Sequence, residues 1–295
     1  MGMQRHWRRG FRGTAALLLG SLFWLTPGLN AQVVIDNDDI GGVVSGINGP
    51  EAGVWVIAET DDFDSLFRKI VVTDDDGRYV LPDLPNADYF VWVRGYGLRD
   101  SEPVRSTPGS TLDLRAVQAA NPREAAQVYP ANYWYSLVEV PPESEFPGTG
   151  EEGNGISPAM RSQANWIDGL KQGCQLCHQL GNLATREVAN LAEFETTEAA
   201  WVHRTRAGQR GGLMSAGLRR FGADHVIDMY ADWTDRIMDG EVPPMPPRPQ
   251  GLERNVVLTM WEWGGETGYI HDEVSSDKRD PSVNAGGPIY GAGFA

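Results

Sequence analysis

Cys174-Gln175-Leu176-Cys177-His178 is the stretch on which the interpretation of the whole chain depends, because it spells C-x-x-C-H. Two thiols three positions apart on a helical turn can reach the two vinyl groups of one porphyrin and form thioethers. The histidine that follows then lies under the iron and supplies an imidazole nitrogen. The motif therefore predicts one covalent haem c, with Cys174 and Cys177 as attachment residues and His178 as the proximal iron ligand.

Two other interpretations of a C-x-x-C pair need features that the sequence does not offer. A thioredoxin-like redox pair is expected in a βαβ setting, and a zinc site needs a second pair of ligands. Cys174 and Cys177 are the only cysteines among the 295 residues. The second pair for a zinc site is therefore missing, and haem attachment is the favoured interpretation.

The first 31 residues have the pattern of a cleaved export signal. A basic stretch between positions 5 and 12 precedes an apolar run at 15–25, and Ala31 stands before the expected cleavage point. The apolar run has about eleven residues, whereas a membrane-spanning helix needs about twenty. The sequence thus predicts a signal peptide over residues 1–31, a periplasmic or secreted protein, and no transmembrane segment.

Acidic residues outnumber basic ones by 40 to 25, which gives a formal net charge of −15. Such a balance argues against nucleic acid as a partner, because a phosphate backbone is bound by clustered lysine and arginine. It also favours a basic or neutral redox protein over an acidic one. We expect that redox partner to contact the haem edge.

Residues 33–117 consist of short runs rich in Val, Tyr, Phe and Trp that are separated by Gly, Pro and Asp. This alternation of runs and turn residues predicts a small all-β sandwich. Four short motifs, Gly42-Val43-Val44, Ala52–Val56, Thr73–Tyr79 and Leu84-Pro85, make the segment similar to the carboxypeptidase regulatory-like, or transthyretin-like, domain. That resemblance implies a non-catalytic folding or docking module.

Helical periodicity begins after residues 118–156, a segment rich in proline and glutamate that we expect to be a linker. The pattern predicts helices over 158–170, 197–206, 224–238 and 252–263. With C-x-x-C-H after the first helix, residues 157–264 resemble a class I mono-haem cytochrome c domain. The expected fold is therefore multidomain, with an all-β sandwich followed by an all-α cytochrome c domain.

The sixth iron ligand decides whether the haem transfers electrons or has an open face. The cytochrome resemblance implies a methionine on a loop before the last helix, and Met245 in Pro243-Pro244-Met245-Pro246-Pro247 fits that description. Prolines would hold such a loop rigid. Met214 is an alternative methionine ligand. His203 or His225 would instead give a bis-histidine haem.

Five arginines between positions 204 and 220 form a basic island in an acidic chain. Arginine pairs well with carboxylates, so some of them are candidate partners of the haem propionates, and the others are expected at a docking patch or on an ordinary helix surface. The propionate candidates are Arg204, Arg206 and Arg210.

The tail, residues 265–295, is rich in Gly and Asp, lacks clear periodicity and is expected to be irregular. The order of sandwich, haem domain and tail is similar to exported bacterial proteins in which a streptogramin-lyase-like β-propeller follows, which suggests a propeller or a dehydrogenase as a further partner.

The leading hypothesis is an exported single-electron carrier whose β-sandwich serves as the docking module. The alternatives are a haem enzyme or gas sensor with an open distal face, near His203 or Arg206, and a binding module with a structural haem. No catalytic residue is predicted, because the sequence contains no Ser-His-Asp set, phosphate loop or metal-hydrolase motif.

Overall fold

The computed structural model describes residues 33–175, 178–208 and 210–262, together with the backbone of residues 269–272 and 291–294. The predicted signal peptide, residues 1–31, lies outside the described residues, and so does Cys177 of the attachment motif. From Val33 onward the described chain forms one compact unit.

Eleven strands come before the first helix and three come after the last one. Their bounds are Ile40–Gly46 (β1), Gly49–Pro50 (β2), Trp55–Thr60 (β3), Leu66–Val72 (β4), Arg78–Leu81 (β5), Tyr89–Arg94 (β6), Leu98–Arg99 (β7), Val104–Ser106 (β8), Ser110–Thr111 (β9), Leu114–Arg115 (β10), Val117–Gln118 (β11), Leu258–Glu262 (β12), Tyr269–Asp272 (β13) and Gly291–Phe294 (β14).

Most strands belong to one of two sheets. The first is antiparallel and has the order β12-β4-β3-β6-β8. The second is built around β1, which pairs antiparallel with β2 and β5 but parallel with β9 and β10. Two small pairs complete the strands, β7 with β11 and β13 with β14. The β13–β14 pair lies within the predicted irregular tail.

An apolar core lies between the two sheets because side chains alternate between buried and solvent-facing positions along each strand. In β4, for example, Phe67 and Val71 are buried and their neighbours are half-buried. Val44 and Leu81 contribute to the same core from the second sheet. Lys69 of β4 is also buried, and its ammonium group donates to two backbone carbonyls, at 2.6 and 3.0 Å.

In the part of the chain that the structure describes, seven helices follow β11. Two of them closely match sequence predictions, at 197–206 and 224–238, and the side chain of Thr196 caps the first of these by accepting from Ala199 N at 3.2 Å. The helices are Pro122–Ala126 (α1), Ala131–Tyr135 (α2), Gln163–Gln175 (α3), Leu183–Arg186 (α4), Thr197–Arg206 (α5), Gly211–Leu218 (α6) and Ala223–Met238 (α7).

Buried tryptophans hold the helices together, and each indole N–H has an acceptor. Trp166 donates to Phe221 O at 2.8 Å, and Trp233 donates to Trp134 O at 3.0 Å. Because a buried N–H without a partner is costly, these bonds fix the packing of α2, α3 and α7. Trp134 belongs to residues 118–156, which were expected to be a linker but contribute two helices and several side chains to this core.

The fold-class prediction, an all-β sandwich followed by an all-α cytochrome c domain, is wrong. Residues predicted as the last helix form β12, which pairs antiparallel with β4, with Leu258 opposite Ile70 and Glu262 opposite Leu66. In chain order, the helices thus lie between strands of one sheet, because β3, β4, β6 and β8 precede them and β12 follows them. The sheet around β1 contains both parallel and antiparallel pairs. We call residues 33–118 and 258–262 the β-rich region, and residues 119–242 the helical region.

The error has a local cause. Gln250 and Glu253 form a genuine capping box, which is a helix-start signal, but it opens only the 3₁₀ turn Gly251–Asn255. Val256 and Val257 follow, and β-branched residues favour extended backbone. The ring of Trp261 then packs against Phe67, with centroids 4.7 Å apart. Tertiary pairing with β4 therefore prevails over the helical start signal.

The chain returns from the helices to the sheets through residues 243–257, which we call the return segment. Arg248 fastens it to the β-rich region, because its guanidinium pairs with Glu51 at 2.5 Å and donates to Tyr96 O at 3.0 Å. Arg254 adds an ion pair with Asp75.

Candidate functional site

The attachment motif lies where α3 ends. Cys174 is in the last turn of this helix, and Leu176 and Cys177 lie outside the described residues. The backbone N–H of His178 donates to Cys174 O at 3.0 Å, with the i to i−4 spacing of helical hydrogen bonds. His178 itself lies beyond Gln175, the last residue of α3. The structure thus links Cys174 and His178 through their backbones.

Cys174 is half-buried and packs against the core of the helical region. Two buried phenols are its neighbours. Burial raises the pKa of Tyr135 to about 12, with a further contribution from Cys174. Burial also raises the pKa of Tyr230, again with Cys174 and Tyr135 contributing. No described residue gives the Tyr230 hydroxyl a hydrogen bond of ordinary geometry. A polar atom is therefore buried beside the predicted attachment sulfur.

His178 is exposed at the surface, yet protein atoms beside the ring lower its pKa by desolvation, and the positive charge of Arg204 lowers it further. Both effects favour the neutral imidazole. A neutral imidazole is the form that coordinates a metal, because its unprotonated nitrogen keeps a lone pair. The environment of His178 therefore suits the predicted role of proximal ligand.

A cavity of about 740 Å³ lies between α4, the loop after it and α5. Its volume falls in the range of roughly 300–1,000 Å³ that is typical of ligand pockets. Leu183, Val188 and Phe194 contribute apolar walls. His203 and Arg204 of α5 and the carboxylate of Glu187 are polar members of the same lining.

Arg204 is half-buried, and burial lowers the pKa of its guanidinium. It donates to Glu187 O at 3.1 Å and to Ala184 O, and it lies 5.1 Å from the ring centre of Trp201. None of the ion pairs in the described part of the chain involves it. An arginine that is partly desolvated and has only carbonyl acceptors suits an incoming carboxylate.

A haem fits the residues that are described here. A cysteine and a histidine are joined by a backbone hydrogen bond, the imidazole is favoured in its neutral form, and Arg204 lies in a cavity wall that also contains Leu183, Phe194 and Glu187. Haem would need an apolar wall for its ring and cations for its propionates, and both are present.

The other predicted site residues are distributed over the surface. Arg206 and Arg210 are exposed near the start of α6, and neither takes part in an ion pair among the described residues. Met214 is half-buried on α6. Met245 is 61% exposed and lies beside Gly97 of the β-rich region, outside the lining of the cavity.

The two candidate histidines differ in their surroundings. His225 is hydrogen-bonded through Nε2 to Asn154 O at 2.8 Å. His203 lies in the cavity wall, with its ring 5.1 Å from that of Phe194. His203 and Arg204 are therefore the predicted residues that line the cavity.

Sequence reasoning missed Arg186, at the end of α4. It is only 5% exposed, its guanidinium lies 4.1 Å from the ring centre of Trp134, and it donates to Gly181 O at 3.0 Å. Burial lowers its pKa. No sequence signal marks this residue, because the burial of an arginine depends on the packing of α4 against α2 and α7.

The sequence matches no known family model, and a search of curated proteins finds no significant relative. Among the described residues there is no helix with the length and apolar character needed to cross a bilayer, as expected.

Proposed function

We propose that this chain is an exported c-type haem protein that transfers single electrons in the periplasm or outside the cell. The observation that carries the proposal is the C-x-x-C-H motif itself, in which His178 N donates to Cys174 O at 3.0 Å. A bound haem c would supply an iron that gains and loses one electron.

The residues of this chain would divide the work of holding the group. Cys174 and Cys177 would form the two thioethers, and His178 would provide the proximal nitrogen. Arg204, which already lies in the cavity wall, would accept a propionate, and Arg206 and Arg210 are further candidates. The apolar wall near Leu183 and Phe194 would exclude water from the ring.

Among the four candidate distal ligands, His225 already has its Nε2 hydrogen-bonded to Asn154 O at 2.8 Å, which leaves three for the test. Met245 follows from the cytochrome resemblance, and Met214 is its alternative on α6. His203 is the candidate favoured by its position in the cavity wall. The β-rich region would serve as a docking module, with a redox protein, a β-propeller or a dehydrogenase as partner.

The first test uses absorption spectra and voltammetry of the exported protein, produced with the periplasmic haem-attachment machinery. We expect one reversible one-electron wave and a ferrous spectrum that carbon monoxide leaves unchanged. His178→Ala should abolish this spectrum, whereas His225→Ala, the matched control, should retain it. Met245→Ala, Met214→Ala and His203→Ala then identify the distal ligand by which of them converts the iron to an open, high-spin form.

The second candidate function is an enzyme or gas sensor with an open haem face. The cavity favours it, because its volume and its polar lining residues, among them His203, Arg204 and Glu187, would suit a small ligand. A ferrous protein that binds carbon monoxide readily, with a spectrum unchanged in all three distal variants, would favour this function over electron transfer.

A further inference from the structure

Two segments of the chain carry only positive charge. Residues 169–186 and 199–223 contain seven of the 25 lysines and arginines and none of the 40 aspartates and glutamates. The first segment includes the attachment motif, and the second includes α6 with the basic island. Charge is thus distributed unevenly, with the positive residues concentrated near the predicted haem.

Contacts join the two segments. Arg220 donates to Gly169 O at 3.3 Å, and its guanidinium would lie 3.7 Å from a side chain added at Gly173, the residue before Cys174. Arg220 of the second segment therefore lies beside the end of α3, just before the cysteines.

The arginines near the motif differ from those elsewhere. In the described part of the chain, the arginines of the β-rich region and the return segment account for most ion pairs, through residues such as Arg94, Arg248 and Arg254. None of the described ion pairs involves Arg206, Arg210, Arg219 or Arg220, and all four are exposed. We call these four residues the arginine face.

An exposed apolar residue lies on α6, between two of these arginines in sequence. Leu213 is 64% exposed on α6, with Arg210 before the helix and Arg219 after it. An apolar centre with a charged rim is the usual anatomy of a protein–protein interface. Arginine is also enriched at such interfaces, where it pairs with carboxylates.

We propose that the arginine face docks an acidic protein partner, which exchanges electrons with the haem through the neighbouring attachment segment. The redox half of this proposal rests on the proposed function, while the docking half does not. The net charge of −15 favours a basic partner. The partner in this proposal is nevertheless acidic, because the charge near the contact is positive. Complementary charge close to the contact steers association more strongly than distant charge, because salt screens the latter.

The first arm of the test measures binding without reference to haem. Labelled poly-L-glutamate is titrated with the exported protein at low ionic strength. We expect binding that weakens with salt, and a loss of about tenfold or more in Arg219→Glu/Arg220→Glu, a pair that is not assigned to a haem propionate. Arg105→Glu/Arg115→Glu makes the same charge change on exposed residues of the β-rich region and should bind within about twofold of wild type.

The second arm uses the reduced haem protein. Its oxidation by the hexacyanoferrate(III) anion should slow as salt is added, because the anion is attracted to the arginine face. If net charge governs the encounter, the rate should instead rise with salt. Absence of any haem signal would contradict the proposed function and leave the poly-L-glutamate result to decide the docking surface.

Three results would overturn the inference. The first is equal poly-L-glutamate binding by the face variant and the control variant. The second is an anion oxidation rate that rises with salt. The third is binding to vesicles of anionic lipid as tight as to poly-L-glutamate, which would assign the surface to a membrane instead of a protein.

Discussion

The ion pair between Arg248 and Glu51 should hold the return segment on the β-rich region, and its strength can be worked from the structure. The two groups are 2.5 Å apart, with side chains 29% and 13% exposed. Arg248 also donates to Tyr96 O at 3.0 Å and to Ala52 O at 3.3 Å. Replacing Arg248 with Met therefore removes several charge-assisted bonds and leaves a largely buried carboxylate without its partner.

Exposed ion pairs contribute roughly 0.2–1 kcal/mol, and hydrogen bonds to charged groups roughly 1.5–3 kcal/mol. Since this pair is partly buried, we expect Arg248→Met to lower the free energy of unfolding by about 2–3 kcal/mol. A double-mutant cycle with Glu51→Gln should give a coupling energy of about 1–2 kcal/mol.

The assay is equilibrium urea unfolding of the exported protein, followed by circular dichroism. Arg105→Met is the matched control, because Arg105 is 70% exposed and its partner Asp88 lies 3.8 Å away, so its loss should cost less than about 0.5 kcal/mol. A coupling energy near zero for Arg248 and Glu51 would refute the reasoning, since the return segment would then be loosely attached.

Three further predictions concern stability. Trp261→Ala should lower the free energy of unfolding in urea by about 2 kcal/mol, because the centroid of its ring lies 4.7 Å from that of Phe67. Leu252 is 84% exposed, so Leu252→Ala should cost less than about 0.5 kcal/mol. Equal losses in the two variants would count against the packing of β12. Tyr230→Phe should be neutral or stabilising by about 1 kcal/mol, because it removes a buried hydroxyl without an ordinary hydrogen bond, and a clear loss would mean that this hydroxyl is satisfied. Burial raises the pKa of Tyr89 to about 12, so the folded state favours the protonated phenol. In thermal unfolding, its contribution to stability should be full below about pH 10 and should fall as the pH rises toward 12. Tyr89→Phe should weaken that pH dependence.

Sequence patterns predicted the helices best where the structure depends on residues that are close together in the chain. Residues 197–206 form α5 with the bounds that the sequence predicted, and α7 begins one residue earlier than the periodicity indicated. The first predicted helix, 158–170, instead runs over Gln163–Gln175. The strands of the β-rich region follow the runs rich in Val, Tyr, Phe and Trp that turn residues separate.

The last strand could not be predicted because its partner is distant in sequence. Leu258 lies opposite Ile70, and no sequence pattern near residue 258 indicates that pairing. The helix-start signal at Gln250 and Glu253 was real but was used for a single 3₁₀ turn. The pairing of β12 with β4, which are distant in sequence, therefore replaces the helix that the local pattern predicted.

The candidate site could be predicted where its functional residues are close together in the sequence. C-x-x-C-H can be recognised in the sequence, and so can the basic island around Arg204. The cavity, the burial of Arg186 and the position of His203 in the cavity wall depend on how α4 and α5 pack. Met245 shows the same dependence, because its loop runs along the β-rich region beside Gly97.

The most direct test of the central claim is the intact mass of the exported protein under denaturing conditions, after expression with the haem-attachment machinery. The account predicts a mass increased by one haem, with Cys174 and Cys177 both resistant to alkylation, and no stable attachment in Cys174→Ala/Cys177→Ala. A wild-type protein of unmodified mass, with both thiols open to alkylation, would contradict it.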